Sequence, residues 1–439
     1  MLVKHPSRTK HHQALTSRIG DKADFCIVIQ EIPTEVRPSN VSKQSRGYSK
    51  ILLLDGYSSR SLACVRSWGR RGIPFAVGGE TRWDMSLHST YGKETFVYTS
   101  PKKSLPRFIE DVNRFAEKFK TDCIFPTSEA AIMACSRFRS ELRSAPIVPT
   151  DSEIDLLFSK ANTMRLAESV GIAVPKTIRI PPGASLPEEV FKLSFPLVIK
   201  SETSELLSEG KAVTSGKTAY VYTRERLESE CSSRLQTGNA ILVQEFIDGY
   251  GFGVSGLFVK GHPVALLAHR RIRESDPCGG PSAVAETVEI DPELLQATTA
   301  MMRQTGFTGP AMIEFKVDRR TAKPIFMEIN CRFWGTILLA PAAGLDLPYL
   351  YWKLLSGEEI APEETRYRIG IRGRYLVGDT KCLLLRLRGK PKDWPGEFPG
   401  RWSAMTEYVG SFFDRRTRNL LFTPRDPLPF FARLVQDFA

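Results

Sequence analysis

Two consecutive segments of this chain alternate between apolar and polar residues, which constrains the fold more than any other feature. Residues 311–318 read A-M-I-E-F-K-V-D and residues 323–334 read K-P-I-F-M-E-I-N-C-R-F-W. This period of two is typical of β-strands, and the polar residues 319–322 between them predict a turn. The two segments therefore form a β-hairpin with one acidic face.

The hairpin gathers four polar side chains. A turn centred near residues 320–321 places Glu314 opposite Glu328, and Glu328, Asn330 and Arg332 share one strand face. Two facing carboxylates repel each other and favour uptake of a proton unless a cation lies between them. Oxygen ligands without Cys or His favour Mg²⁺, which keeps water and phosphate oxygens as further ligands. The alternative interpretation is a solvated polar face of the sheet.

The first part of the chain has the pattern of a parallel sheet. Ile51–Leu54 and Ile73–Val77 are short apolar runs separated by a helical segment, which predicts a βαβ unit of a doubly wound domain. Cys123–Phe125 repeats the pattern. The loops at residues 55–58 and 127–129 follow strand ends, where ligands bind in such sheets, although plain turn chemistry is an alternative for each. No G-x-G-x-x-G motif accompanies them, so dinucleotide binding is not indicated.

The central part of the chain holds two lysines at element ends. Lys160 begins a helix predicted over residues 160–169, and Lys200 ends a strand predicted over residues 196–200. Either ammonium could reach phosphate oxygens, although an isolated lysine is more often a surface residue. Residues 201–217 are rich in glycine and small polar residues, so this loop could close over a triphosphate, but it lacks the Walker A pattern.

The order of these features resembles the ATP-grasp superfamily. The resemblance rests on the two lysines, on V-Q-E-F-I-D-G (243–249), on I-E-F (313–315) and on M-E-I-N-C-R-F-W-G-T (327–336), and it covers about residues 48–358. It implies an α/β and α+β chain in which a pre-ATP-grasp βαβ domain precedes a two-subdomain ATP-grasp fold and a small C-terminal extension. The expected limits are 1–47 for a poorly ordered basic extension, 48–150 for the pre-ATP-grasp domain, 151–358 for the ATP-grasp domain and 359–439 for a C-terminal basic region.

The resemblance also implies a role for each candidate residue. Glu314, Glu328 and Asn330 are expected to bind two Mg²⁺ ions, with Mn²⁺ as an alternative metal. Arg332 is expected beside the transferred phosphate of ATP, and Lys160 and Lys200 on the other phosphates. The expected adenine-binding hinge consists of Gln244, Glu245, Phe246 and Ile247. Asp248 is expected to meet the ribose, since Tyr250 stands where the family often has an acidic residue.

A basic segment follows one of the predicted strands. Residues 269–282 read H-R-R-I-R-E-S-D-P-C-G-G-P-S, with three arginines and a flexible glycine turn. In amide-forming members of the family a similar loop covers the acceptor and phosphate, so Arg271 is the expected catalytic arginine of this segment. The alternative is an ordinary basic loop.

The activity that the resemblance implies is an ATP-dependent C–N ligase. A small-molecule carboxylate would attack ATP to give an acyl phosphate, and an amine would then displace phosphate, releasing ADP and phosphate. Two alternatives stay open at this point. One is an ATP-binding regulatory module without ligase chemistry, and the other is phosphoryl transfer to an acceptor that is not a carboxylate.

Composition limits the partners and the location. The net charge of +12 belongs to the ends, because residues 48–360 hold 38 basic and 36 acidic residues. This distribution argues against a specific nucleic-acid binder. Eight scattered cysteines without a paired motif favour a reducing compartment, and no secretory or transmembrane segment is recognised. We expect a cytoplasmic enzyme with small-molecule substrates, and a homo-oligomer stays open.

Overall fold

The structure, a computed structural model, describes residues 25–26, 50–236, 238–392, 394 and 396–438. The poorly ordered extension predicted for residues 1–47 lies outside these residues, apart from the short strand β1 (Phe25–Cys26). The described chain combines a parallel sheet with antiparallel sheets, which confirms the predicted α/β and α+β class. No helix among the described residues is long and apolar enough to cross a membrane.

The first unit is a five-stranded parallel sheet, as the apolar runs predicted. Its strand order is β4-β3-β2-β5-β6. Its elements are β2 (Ile51–Leu53), α1 (Ser59–Arg70), β3 (Phe75–Gly79), β4 (Glu94–Val97), α2 (Leu105–Phe119), β5 (Cys123–Phe125), α3 (Glu129–Arg137) and β6 (Ala145–Pro146).

Both candidate loops of this sheet begin helices. Ser58 caps α1 and Ser128 caps α3, each through its side-chain oxygen. The fully buried Asp55 joins the loops, because its carboxylate accepts hydrogen bonds from the backbone N–H groups of Thr127 and Ser128 at 2.6 and 2.7 Å. This arrangement fixes Glu129 as the first residue of α3.

The second unit is a four-stranded antiparallel sheet of order β11-β8-β12-β7. Its elements, with two preceding helices, an inserted hairpin and a helix before the last strand, are α4 (Asp151–Leu157), α5 (Lys160–Ser169), β7 (Thr177–Ile180), β8 (Leu197–Ser201), β9 (Glu205–Ser208), β10 (Lys211–Thr214), β11 (Ala219–Val221), α6 (Arg224–Leu235) and β12 (Ile241–Glu245).

The glycine-containing segment, residues 201–217, was predicted as a loop able to close over a triphosphate, and it contains a hairpin of β9 and β10. Its turn uses left-handed backbone at Glu209 and Gly210. The tip docks on the first unit, because Leu105 N–H donates to the Gly210 carbonyl at 2.7 Å and Ala212 N–H donates to the Pro101 carbonyl at 2.8 Å.

The third unit is a seven-stranded sheet of order β17-β16-β13-β14-β15-β19-β20. Strands from residues beyond 359 complete this sheet, so the C-terminal region is built onto the core. The elements are β13 (Gly249–Val259), β14 (His262–Glu274), β15 (Ser282–Val288), α7 (Pro292–Thr305), β16 (Gly309–Asp318), β17 (Pro324–Asn330), α8 (Leu339–Ala342), α9 (Leu347–Ser356), β18 (Tyr367–Arg368), β19 (Arg372–Arg374), α10 (Leu376–Arg388), α11 (Arg401–Phe413), β20 (Thr417–Asn419) and α12 (Leu428–Phe438).

One hydrophobic cluster joins the first and third units. It includes Trp68 and Phe125 of the parallel sheet together with Phe333 and Tyr351, all of them buried. The ring centroids of Phe125 and Phe333 lie 6.0 Å apart, and those of Phe125 and Tyr351 lie 5.7 Å apart. The cluster brings the loops of the parallel sheet next to the segment that follows β17.

Candidate active site

The acidic hairpin has the register that the alternation predicts. Glu314 on β16 and Glu328 on β17 are direct partners, and an irregularity follows Glu314, where Phe315 pairs with Phe326. The Asn330 amide donates a hydrogen bond to Glu328 Oε1 at 3.1 Å. Both carboxylates, Asn330 and Arg332 line one cavity of about 1020 Å³, so the four predicted side chains meet at one surface.

Arg332 is held by a residue of the first unit. Its guanidinium donates two hydrogen bonds to Glu129 Oε1, at 2.6 and 3.2 Å, and a third to the Phe333 carbonyl at 3.2 Å. Burial raises the pKa of Glu129, but Arg332 and Lys160 outweigh it and hold that pKa below its usual value. Glu129 therefore stays ionised and orients the arginine.

The two predicted lysines approach the acidic pair from the second unit. Lys160 lines a smaller cavity with Glu129, Glu328 and Arg332, and its ammonium donates to a serine hydroxyl, Ser204 Oγ, at 3.3 Å. Burial raises the pKa of Glu328, but the charges of Lys160 and Lys200 outweigh that effect and lower it. Burial also lowers the pKa of Lys200. The lysines and the acidic hairpin thus form one electrostatic cluster.

The pKa of Glu314 is shifted in the opposite direction to that of its partner Glu328. Burial raises the pKa of Glu314, and the neighbouring Glu328 adds to this effect, while Arg271 opposes it. Arg271 donates to Glu314 Oε1 and also to Glu274 Oε1 at 3.0 Å. The acidic pair is therefore asymmetric, with the negative charge favoured on Glu328.

Only one arginine of the basic segment faces the acidic hairpin. Arg270 pairs with Glu286 at 2.6 Å, and Arg273 pairs with the buried Asp379 at 2.6 Å. Arg271 follows Arg270 on the opposite face of β14 and donates to Glu314. Arg273 has a different partner because the strand register is irregular between Arg271 and Arg273. Part of the segment predicted as a loop belongs to β14, which ends at Glu274.

The predicted hinge lies at the end of β12. Gln244 is buried, and its amide donates to Thr177 Oγ1 at 2.9 Å. Glu245 accepts a hydrogen bond from the Lys176 backbone N–H at 3.0 Å. The Phe246 ring packs edge-on against Trp394, with centroids 5.3 Å apart.

Residues Ile247 and Asp248 complete the hinge segment. The Ile247 carbonyl accepts a hydrogen bond from Lys316 Nζ at 3.0 Å. The Asp248 carboxylate is half exposed and lies 3.6 Å from Arg319 Nε. Lys316, whose pKa is lowered by burial, was not among the predicted site residues. Strand alternation places Lys316 on the same face of β16 as Glu314, and this pattern could have identified it as a site residue.

The donor set of the hairpin fits a hard cation. No group of three or more His, Cys, Asp or Glu residues able to hold a metal occurs within the described part of the chain. Glu314, Glu328 and the Asn330 amide supply oxygen ligands only, and they leave ligand positions for water and phosphate. Two carboxylates in direct register favour a cation between them, and these residues therefore fit Mg²⁺.

Comparisons with known proteins agree with this geometry. Residues 237–375 match the model of a family described as ATP-grasp in the biosynthetic pathway with Ter operon. No curated protein matches the chain. Similar solved structures include an L-amino acid ligase from Bacillus licheniformis, with a TM-score of 0.53, 17% identity and coverage of 72% of this chain and 76% of that chain.

Two further solved structures share the fold. Biotin carboxylase from Campylobacter jejuni has a TM-score of 0.56 at 14% identity, covering 74% of each chain. The ADP complex of an N5-carboxyaminoimidazole ribonucleotide synthetase has a TM-score of 0.58 at 11% identity, covering 83% of this chain and 96% of that chain.

Proposed function

We propose that this chain, an ATP-grasp protein, is an ATP- and Mg²⁺-dependent ligase that activates a small-molecule carboxylate and joins it to an amine. The observation that carries the proposal is the convergence of Glu314, Glu328, Asn330 and Arg332 on one large cavity. The solved structures of similar fold include ligases and carboxylases, which agrees with chemistry at a carboxyl group.

The charges of the cluster suit phosphoryl transfer. Glu314, Glu328 and Asn330 would hold magnesium, which when bound neutralises charge on the phosphates. Lys160 and Lys200 supply two more cations. They would bind the phosphates of ATP, and both act electrostatically on Glu328, whose pKa they lower.

Arg332 would stabilise the negative charge that develops during transfer of the terminal phosphate. Glu129 holds its guanidinium in place before the substrate binds, so little reorganisation is needed in the transition state. Arg271, paired with Glu314, would act at the same phosphate from the β14 side. The hinge from Gln244 to Ile247 would bind adenine, and Asp248 the ribose.

The reaction then needs no covalent intermediate with a side chain. A carboxylate oxygen of the substrate attacks the terminal phosphorus of ATP, ADP leaves, and an acyl phosphate remains. The amine attacks the acyl carbon, phosphate leaves with the C–O bonding electrons, and the amine loses a proton. The products are an amide, ADP and phosphate.

The test is ADP formation from Mg-ATP in the presence of pooled carboxylates and amines, with products followed by mass spectrometry. We expect ADP release that depends on both pools and falls at least 100-fold in Glu328→Gln, because a ligand charge is lost. Glu289→Gln, a change at an exposed carboxylate that directly follows β15, is the matched control and should retain full activity.

Two results would replace this proposal. ATP binding without ADP formation from any pool would favour a regulatory module. A stable phosphoester among the products would favour phosphoryl transfer to an acceptor that is not a carboxylate.

A further inference from the structure

Arg60 differs from the other arginines of the 1020 Å³ cavity because no carboxylate of the described residues contacts it. It lies in the first turn of α1, in the parallel-sheet unit, and it lines the same cavity as the acidic hairpin. Four arginines line this cavity, and three of them have carboxylate partners: Arg271 with Glu314, Arg332 with Glu129 and Arg433 with Asp437. Among the residues that the structure describes, Arg60 makes no hydrogen bond or ion pair, and its Nε is buried without a partner.

The surroundings of Arg60 disfavour its charge. Burial lowers the pKa of Arg60 and the nearby Arg332 guanidinium adds to this effect, while the weaker effects of the charges of Asp55 and Glu129 oppose it only in part. A partly buried guanidinium that contacts no carboxylate destabilises a folded protein, because part of its hydration is lost without a direct ion pair to compensate for it. Such a group is suited to an anionic ligand that completes the site.

The location of Arg60 indicates which anion it binds. The cavity that it lines includes the acidic hairpin and Arg332 but neither Lys160 nor Lys200. The two lysines proposed for the phosphates of ATP are therefore absent from the lining of this cavity, whereas Arg332 and Arg271, proposed to act at the terminal phosphate, share it with Arg60. We propose that Arg60 binds the carboxylate group of the substrate, through the paired N–H groups of its guanidinium. This inference rests on the proposed function for the identity of the anion.

The test compares ligand-induced stabilisation of wild type, Arg60→Gln and Arg433→Gln without ATP. The probes are acetate, L-alanine and L-glutamate as sodium salts, against sodium chloride at equal ionic strength. We expect at least one carboxylate to raise the melting temperature of wild type and of Arg433→Gln, but not that of Arg60→Gln. In chloride, Arg60→Gln should melt higher than wild type, since an uncompensated buried charge is removed.

Several results would overturn the assignment. They are an equal carboxylate shift in Arg60→Gln, no shift in wild type with any probe, or a lower melting temperature of Arg60→Gln in chloride. The assay needs no turnover, so it separates this inference from the ligase proposal. Suppose that carboxylates raise the melting temperature of wild type but not of Arg60→Gln, and that the protein never forms ADP. This result would support the anion site at Arg60 and refute the proposed ligase activity.

A second and independent observation concerns α11, whose polar side faces the protein. Glu407 accepts a hydrogen bond from Arg386 at 2.9 Å, and Ser411 accepts one from Arg273 at 2.9 Å. The Tyr408 hydroxyl lies 2.7 Å from Thr380 Oγ1. These contacts hold the helix by hydrogen bonds and ion pairs, the reverse of an ordinary surface helix.

The apolar side of α11 faces outward. At 100° per residue its large apolar side chains fall within an arc of about 100° opposite the polar contacts. Trp402 is 79% exposed and Phe413 is 81% exposed. The other members of this outward face are Met405, Val409 and Phe412. Exposed apolar area of this kind on one helix indicates an interaction surface.

The charge around this face selects its partner. Residues 381–425 hold ten basic and four acidic residues, and Arg401, Arg415 and Arg418 next to the helix are exposed. A symmetric contact with a second copy would bring these like charges together. An outward face of Trp and Phe with arginines at its rim matches the interface of an anionic lipid bilayer. We propose that α11 binds the surface of anionic membranes.

The test is co-sedimentation with phosphatidylcholine vesicles that contain or lack phosphatidylglycerol. We expect binding only with the anionic lipid. Val409→Glu should lower it at least tenfold, and Arg415→Gln and Arg418→Gln about fivefold each. Val97→Glu, at an exposed valine of β4, is the matched control and should bind like wild type. An unchanged melting temperature of Val409→Glu would show that the variant is folded.

Other outcomes would refute the membrane assignment. They are equal binding to uncharged vesicles, a vesicle-free dimer that Val409→Glu dissociates, and binding of single-stranded RNA that competes with vesicles. A Trp402 that is shielded from aqueous quenchers before vesicles are added would show that the protein itself covers this face.

Discussion

The contact between Glu129 and Arg332 leads to the sharpest prediction, for the variant Glu129→Ala. The substitution removes two hydrogen bonds, of 2.6 and 3.2 Å, and leaves Arg332 with only the Phe333 carbonyl at 3.2 Å. Breaking a buried ion pair costs about 3–5 kcal/mol, and both side chains here keep 15% exposure. Because this exposure lets solvent screen the two charges, we take the lower end of that range, and the loss of the Glu129–Arg332 pair should cost about 3 kcal/mol.

If this interaction serves to orient Arg332 in the transition state, kcat should fall about 100-fold. Glu129→Gln keeps one acceptor without the charge, and it should lower kcat about tenfold. The assay is steady-state ADP formation, with the KM for ATP measured separately. In the double variant Glu129→Ala/Arg332→Ala the loss should equal that of Arg332→Ala alone, because both changes remove the same function.

A control is needed because Glu129 is also an acidic residue in the first turn of a helix. Glu293 occupies such a position in α7 and is exposed. Glu293→Ala should lose only the interaction with the helix dipole, roughly 0.5 kcal/mol, with no change in kcat. The reasoning is refuted if folded Glu129→Ala retains a kcat within threefold of wild type.

Three further predictions concern stability. Asp55→Ala should destabilise the first unit by about 3–5 kcal/mol in thermal unfolding, since the backbone donors of residues 127–128 lose a buried carboxylate. Burial and the nearby Asp55 raise the pKa of Glu80 to about 7, so wild type should lose stability as pH rises from about 4.5 to 7. Glu80→Gln should reduce this loss by roughly 2 kcal/mol in denaturant titrations at the two pH values. A Cβ at Gly253 would lie 2.6 Å from His269 Cε1, so Gly253→Ala should lower thermal stability by about 1–3 kcal/mol.

The predictions for Asp55 and Gly253 each have a matched control. Asp55→Asn keeps the side-chain shape and tolerates the left-handed backbone at that position, so it should lose less than Asp55→Ala. Gly335→Ala introduces a Cβ into open space and should be nearly neutral. A pH dependence of stability identical in wild type and Glu80→Gln would contradict the argument for Glu80.

The sequence predicted the acidic hairpin well because that prediction depends on local periodicity alone. Strand alternation and a four-residue turn suffice to pair Glu314 with Glu328. The parallel sheet was predictable for a similar reason, since Ile51–Leu54 is fully buried and flanked by turn residues. The role of Glu129 was not predictable, because its partner Arg332 lies 203 positions away and only the fold brings the two together.

Other features depend on tertiary packing, which the periodicity of the sequence does not predict. The glycine-containing segment was expected to be a loop that could close over a triphosphate, yet its apolar residues Leu206 and Leu207 pair with Val213 and Ala212 in a hairpin. The C-terminal region was predicted only as a basic extension. Its helices supply part of the cavity wall, including Leu376, because β19 joins the core sheet.

The shared hydrophobic cluster of Trp68, Phe125, Phe333 and Tyr351 affects how this protein could be recombined with others of the same fold. A chimera with its junction near residue 150 would separate two halves of one hydrophobic core. Unless the partner protein covered them, the aromatic rings of each half would be exposed to water. An exchange of the first domain would succeed only if the segment after β17 came from the same donor. An engineered chimera must therefore take Phe333 and its neighbours from the same protein as the parallel sheet, which precedes them by about two hundred positions.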